Sequence, residues 1–236
     1  MYDELIKIIK DYVYKLGVDS FESFFMSYNC SNVILSEREF KFKDKYKKNY
    51  DFNRVDSLVE DFLNDLNPAY LDYYRLRKND GTFIFNTNDK SGFGYSIFND
   101  DTNHREIYVG LTGHIEDSFT IVHELFHDIN MSDDMDSYGR YFFTECLSMV
   151  GEFLFSDYLV DKNIVERKNV IAMMLFFLRQ KALEVNFNIR LIKEYLERGY
   201  LNDSIIDGII NSYPIENKND ILKTIMVILW NDYKKL

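Results

Sequence analysis

The chain has 236 residues, of which 46% are hydrophobic, and a formal net charge of −11. That length can bury one sizeable core, and the acidity argues against nucleic acid as a partner, because phosphate binding needs clustered Lys and Arg. Two cysteines, Cys30 and Cys146, lack metal-type spacing and make no disulfide framework, and the longest apolar run, residues 170–178, falls far short of the ~20 residues that span a bilayer.

Near the N-terminus, Leu5, Ile8, Ile9, Val13 and Leu16 recur at helical spacing, so residues 2–16 are expected to form a helix that Gly17 stops. Acids and lysines run through this stretch, unlike the basic-then-apolar layout of a signal peptide, and the expected location is cytoplasmic. A second helix is expected over 20–28, carrying Phe21, Phe24, Phe25 and Tyr28. The lysine-rich stretch 41–48 reads as a solvated strand or linker whose aromatics pack inward. Helices over 55–66 and 69–76 are separated by Asn67-Pro68.

Three strands follow, over 82–85, 94–98 and 106–109, divided by turns rich in Asn, Asp and Gly. The segment Ser91-Gly92-Phe93-Gly94 lacks the Lys-Ser/Thr ending of a phosphate loop and reads as a turn. Everything after Asp117 is expected to be helical, with breaks near Lys162, Gly199 and Pro214. The expected fold class is α+β and mainly α-helical, with a small antiparallel or mixed three-stranded sheet.

Chemistry concentrates in His123-Glu124-Leu125-Phe126-His127, which holds two of the four histidines. Histidines at i and i+4 share a helix face and can grip one metal ion, and Glu124 lies beside them as a base for a water molecule. Ile121, Val122, Leu125, Phe126 and Ile129 surround the polar triplet, so the helix should be largely buried. Burying a neutral polar group without a partner costs on the order of 2–7 kcal/mol, and a metal ion would satisfy all three at once.

Catalytic zinc usually takes three protein ligands. Residues 141–155 read as a largely apolar helix with two acids, Glu145 and Glu152, which lie two turns apart and share a face. Either can be the third ligand, with the other behind it. Cys146 would point away from that face. Asp128, turned about 100° from His127, is expected to be a solvated residue or a partner that orients an imidazole.

These residues resemble the thimet oligopeptidase and oligoendopeptidase F group of zinc metallopeptidases. Asp117-Ser118-Phe119-Thr120-Ile121-Val122-His123-Glu124-Leu125-Phe126-His127 is similar to that family's Asp-x-Phe-Thr-x-x-His-Glu-x-Gly-His helix, and Glu145-x-x-Ser148-x-x-x-Glu152 to its Glu-x-x-Ser-x-x-x-Glu helix. Ser91 to Ser96 resembles the family's Ser-Gly-Ala-Tyr-Ser segment, and Ile107 to Gly113 its strand ending in Asn-Tyr-x-Gly. The resemblance covers roughly residues 55–200. It implies one zinc per chain held by His123, His127 and Glu145, with Glu124 as general base and Glu152 behind the ligands. It also implies a zincin-like core in which the sheet lies beside the zinc-binding helix pair.

The chain departs from the family at several points. Phe126 stands where the family has glycine, the interval from His127 to Glu145 is shorter, and no counterpart is expected for the family's large helical part ahead of the core. The expected organisation is one catalytic domain over 1–236, with an N-terminal helical appendage (1–50), a core (55–200) and C-terminal helices (201–236). The family's C-terminal oxyanion tyrosine and histidine have no clear match. Tyr138, Tyr141, Tyr200 and Tyr213 are the candidates for that role, with His114 and then His104 behind them.

A strand just before the zinc helix can offer an unpaired edge to an extended peptide, and Tyr108, Val109, Gly110, Leu111 and Thr112 are expected to form it. The expected activity is zinc-dependent hydrolysis of peptides or proteins, with neither nucleic acid nor membrane as partner. A protein partner that supplies the missing lid fits the same reading. The alternative is a catalytically inactive, zinc-stabilised domain that binds peptides or proteins.

Overall fold

The computed structural model describes residues 2–16, 50–99, 104–130 and 137–213. Within them run helices α1 (Asp3–Leu16), α2 (Phe52–Leu66) and α3 (Pro68–Asn79), strands β1 (Phe83–Asn86), β2 (Gly94–Asn99) and β3 (His104–Gly110), and helices α4 (Glu116–Ile129), α5 (Ser137–Asp161), α6 (Arg167–Arg198) and α7 (Asp203–Asn211). The chain is mainly helical, with a small mixed sheet. The expected helix over 20–28 and the stretch 41–48 lie outside the described residues, as does the break at Pro214.

The elements begin and end where side chains can satisfy free backbone groups. Asp51 Oδ1 accepts the Arg54 amide at 2.9 Å to start α2. Asn67 closes α2 by donating its amide to Leu63 O, and opens α3 by accepting from Ala69 N at 3.0 Å ahead of Pro68 in the first turn. Beyond α5, Asn163 takes a left-handed φ of 56° and the amides of Ile164 and Val165 turn back to Leu159 O.

Two compact units emerge, one comprising residues 41–172 and the other residues 1–40 with 173–236. In the second unit, Leu5 and Ile9 of α1 are buried with Leu183, Phe187 and Leu191 of α6 and Ile206 and Ile209 of α7. The division between the units falls at residues 40 and 172.

In the unit 41–172, strand order is β1-β3-β2. Strand β1 runs parallel to β3, with Phe83 opposite Ile107 and Asn86 opposite Gly110, and β2 runs antiparallel to β3, with Gly94 opposite Val109 and Ser96 opposite Ile107. Tyr95 and Tyr108 face each other on one side, their rings stacked at 5.2 Å. Period-two alternation therefore sends Gly94 and Ser96 to the other side, against α4. Val59 and Phe62 of α2, Phe119, Val122 and Leu125 of α4, and Phe155 of α5 form the core beneath. The Phe155 ring meets Phe62 at 5.1 Å and Phe119 at 4.9 Å. Among the described residues, no helix is long and apolar enough to cross a membrane.

Candidate metal centre

The helix α4 enters the core under the control of one buried carboxylate. Asp117, only 1% exposed, accepts from Thr112 N at 3.0 Å, Thr112 Oγ1 at 2.6 Å and Gly113 N at 2.8 Å. Gly113 has φ of 88°, which a residue with a Cβ adopts only under strain. An anion in the first turn also suits the positive end of the helix dipole. This clamp fixes the turn from β3 into α4, and so the rotation at which α4 presents its histidines.

Helix α4 then carries His123 and His127 one turn apart, with ring centroids 4.6 Å apart and Nε2 atoms 2.9 Å apart. From α5, Glu145 Oε2 lies 3.7 Å from His123 Nε2 and Glu145 Oε1 lies 3.5 Å from His127 Nε2. One ligand atom from each of the three residues falls within 4.8 Å of the others. The two acids left open as alternatives differ in orientation. Glu145 faces both Nε2 atoms, whereas Glu152 Oε1 meets His123 Nδ1 from behind at 2.7 Å. Ser148, between them, donates to Glu145 O at 2.9 Å and sits 3.4 Å from His123 Nε2.

Two imidazole nitrogens and a carboxylate are a donor set that zinc accepts. With the Nε2 atoms 2.9 Å apart and one or other Glu145 oxygen within 3.7 Å of each, the three residues are close enough for their side chains to converge on one ion. The Glu152 contact suits the same purpose, since a carboxylate on Nδ1 turns Nε2 towards the ion and raises its basicity. Burial works against an imidazolium at His123, but the Glu152 hydrogen bond and the charges of Glu145, Glu124 and Glu152 outweigh it and hold its pKa above the ordinary histidine value.

Glu124 is 6% exposed and lies against β2. Ser96 Oγ is 2.9 Å from Glu124 Oε2 and 2.9 Å from its main-chain oxygen. The bulky Phe126 is accommodated on the facing helix: a Cβ at Gly151 would sit 2.7 Å from Phe126 Cγ. The close approach that a glycine before His127 would allow is made instead by a glycine before Glu152.

Asp128 departs from expectation, being neither solvated nor in contact with an imidazole in any interaction described. It is 4% exposed and accepts from Tyr73 Oη at 2.5 Å and Arg105 Nη1 at 2.7 Å, with Arg77 Nε at 3.2 Å. It ties the last turn of α4 to α3 and β3. Cys146 is exposed.

The proposed substrate edge is also corrected. Tyr108, Val109 and Gly110 lie in the central strand of the sheet, paired on both sides. The Leu111 amide is bound to Asn86 O at 3.0 Å and the Thr112 amide to Asp117. A segment whose amides are already bonded on both flanks has nothing to offer a peptide. Among the described residues, β2 pairs only with β3.

The candidate oxyanion residues are scattered. Tyr138 and Tyr141 fall in the first two turns of α5, and their side chains lie outside what is described. Tyr200 and Tyr213 belong to the other unit, where Tyr200 is exposed and Tyr213 is buried and donates to Asn186 Oδ1 at 2.8 Å. His114 lies between β3 and α4, and its Nδ1 is buried without a hydrogen-bond partner among the described residues. His104 opens β3, its side chain again outside what is described. Sequence reasoning assigned no role to Asp117, Gly94 or Ser96 singly. The Gly-x-Ser alternation within a strand was the signal that put the last two on one face.

Comparisons with protein-family models, curated proteins and solved structures return no match. The functional reading therefore stands on these residues alone.

Proposed function

We propose that the chain is a zinc-dependent peptidase with a zincin-like core, similar in its site to the thimet oligopeptidase and oligoendopeptidase F group. The observation that carries the proposal is the convergence of His123 Nε2, His127 Nε2 and a Glu145 carboxylate oxygen within 4.8 Å, with Glu152 on His123 Nδ1. His123, His127 and Glu145 would hold the ion. When bound, zinc would supply Lewis acidity, polarising a scissile carbonyl and lowering the pKa of water at its open position.

The chain's own residues supply the rest. Glu124 takes the proton from the attacking water and passes it to the leaving amine. Glu152 accepts from His123 Nδ1 and so keeps that ring aimed. An extended peptide would pair with β2 through main-chain hydrogen bonds, which fix the chain without reading its side chains.

Metal analysis of the purified protein is expected to find about one zinc per chain, and a mixed peptide library is expected to be cleaved. Glu124→Gln should keep the zinc and lose at least about a hundredfold in turnover. Undiminished cleavage by that variant would sink the assigned base. A zinc-loaded wild type that binds peptides without cutting them would favour the inactive binding domain, and a protein that takes up no zinc would dismiss both readings.

A further inference from the structure

We infer that Gly94 and Ser96, on the α4-facing side of β2, form a seat that fixes the orientation of the Glu124 carboxylate, with Ser96 as a positioning residue for the proton transfer. The inference rests on the peptidase reading given above, and it goes further by naming what aims the base.

Ser96 Oγ stands 2.9 Å from two acceptors, Glu124 Oε2 and Glu124 O, but a hydroxyl has only one proton to give. The main-chain oxygen lies within α4, where it serves the helical ladder from four residues on. The carboxylate oxygen carries the charge and is the stronger acceptor. The proton therefore goes to Oε2.

Gly94 completes the seat by what it lacks. A Cβ there would lie 2.9 Å from Glu124 Cγ, 3.0 Å from Glu124 Oε1 and 2.6 Å from Thr120 Cγ2. The Glu124 side chain thus lies flat on the strand backbone, its stem against Gly94 and its far oxygen held by Ser96. A glutamate with three rotatable bonds gains catalytic reach when its rotamer is fixed, and a displacement of about 1 Å can cost on the order of a hundredfold in rate. The same strand is the one proposed to pair with substrate, so the groups that align peptide and base are built on one element.

The experiment compares the zinc-loaded full chain with S96A and S96T on the best-cleaved peptide of the library. S96A is expected to lose about tenfold or more in kcat while KM stays within about twofold and zinc content and melting temperature are unchanged. S96T, which keeps the hydroxyl, should recover most of the loss. Unchanged kcat in S96A overturns the inference while leaving the peptidase reading intact. So does a loss that S96T shares equally, or one that tracks zinc content or melting temperature, because each of these makes Ser96 a packing residue. A zinc-loaded wild type that cuts nothing removes the peptidase reading and this inference with it.

Discussion

Gly151→Ala tests the packing that lets this chain carry Phe126 beside a metal ligand. The new methyl would lie 2.7 Å from Phe126 Cγ, 2.8 Å from Cδ1 and 2.9 Å from Cδ2, against a favourable carbon–carbon separation of about 3.5–4.0 Å. These atoms are at the root of the ring, which is 7% exposed and has Tyr70 at a centroid distance of 6.0 Å, so it cannot swing clear. Overpacking of this kind costs about 1–3 kcal/mol, while alanine gains about 1 kcal/mol over glycine in a helix interior. The expected net effect is a destabilisation of up to about 2 kcal/mol. In a Phe126→Ala background the obstacle is gone, so the same substitution should stabilise by about 1 kcal/mol. Urea unfolding of the four metal-free proteins, followed by far-ultraviolet circular dichroism, gives the coupling directly. A substitution at Gly151 that is neutral or stabilising with Phe126 intact, and unchanged without it, would refute the proposed compensation.

Two further outcomes follow from named contacts. Glu152→Gln should weaken zinc binding by about 10- to 100-fold in a chelator competition, since it removes the charge that keeps His123 Nε2 basic; an unchanged Kd would make that contact incidental. Glu60 accepts from Arg75 at 2.6 Å and lies 2.8 Å from Lys78. The Arg75 hydrogen bond, aided by Lys78, outweighs burial and pulls the Glu60 pKa from 4.5 to about 2. A pKa lowered by folding means that the native state binds fewer protons, so the stabilisation is present above about 4.5 and is lost as the pH falls towards about 2. Solvent screening holds it to on the order of 1 kcal/mol. Glu60→Gln should flatten the stability profile of the metal-free protein across that window, and an unaltered slope there would contradict the assignment.

What could be read in advance followed from local chemistry. Helices α2 and α3 were legible because Asn67-Pro68 can only end one helix and begin another, and the strands fell within two residues of expectation because alternation and turn residues bound them. The i,i+4 and i,i+7 geometry of two helices put an acid of α5 against both histidines, but it did not say which acid. Strand order was not legible. Segment 108–112 looked like an edge because it leads into α4, yet β1 pairs in parallel with β3 from far along the chain and encloses it. Asp128 failed for the same reason, since its burial depends on Tyr73, Arg77 and Arg105, all more than 20 residues away. Phe126 and Gly151 are each unremarkable alone, and only the facing of α4 and α5 makes them a pair.

The charge pattern around the histidines bears on which occupant suits them. Glu124, Glu145 and Glu152 all act on His123, so three carboxylates surround two imidazoles. Two protons could balance most of that charge, but with both rings protonated two N–H groups would point at each other across 2.9 Å, where neither can accept. A single proton shared between the Nε2 atoms avoids that conflict and leaves a larger negative charge in a largely buried site. One divalent ion delivers the same two positive charges as a doubly protonated pair, at the point where both Nε2 lone pairs and Glu145 converge, with no opposed N–H groups. The geometry that disfavours the doubly protonated state is therefore the geometry that favours a metal. That argument applies equally to a catalytic and to a purely structural ion, and the Glu124→Gln comparison separates the two.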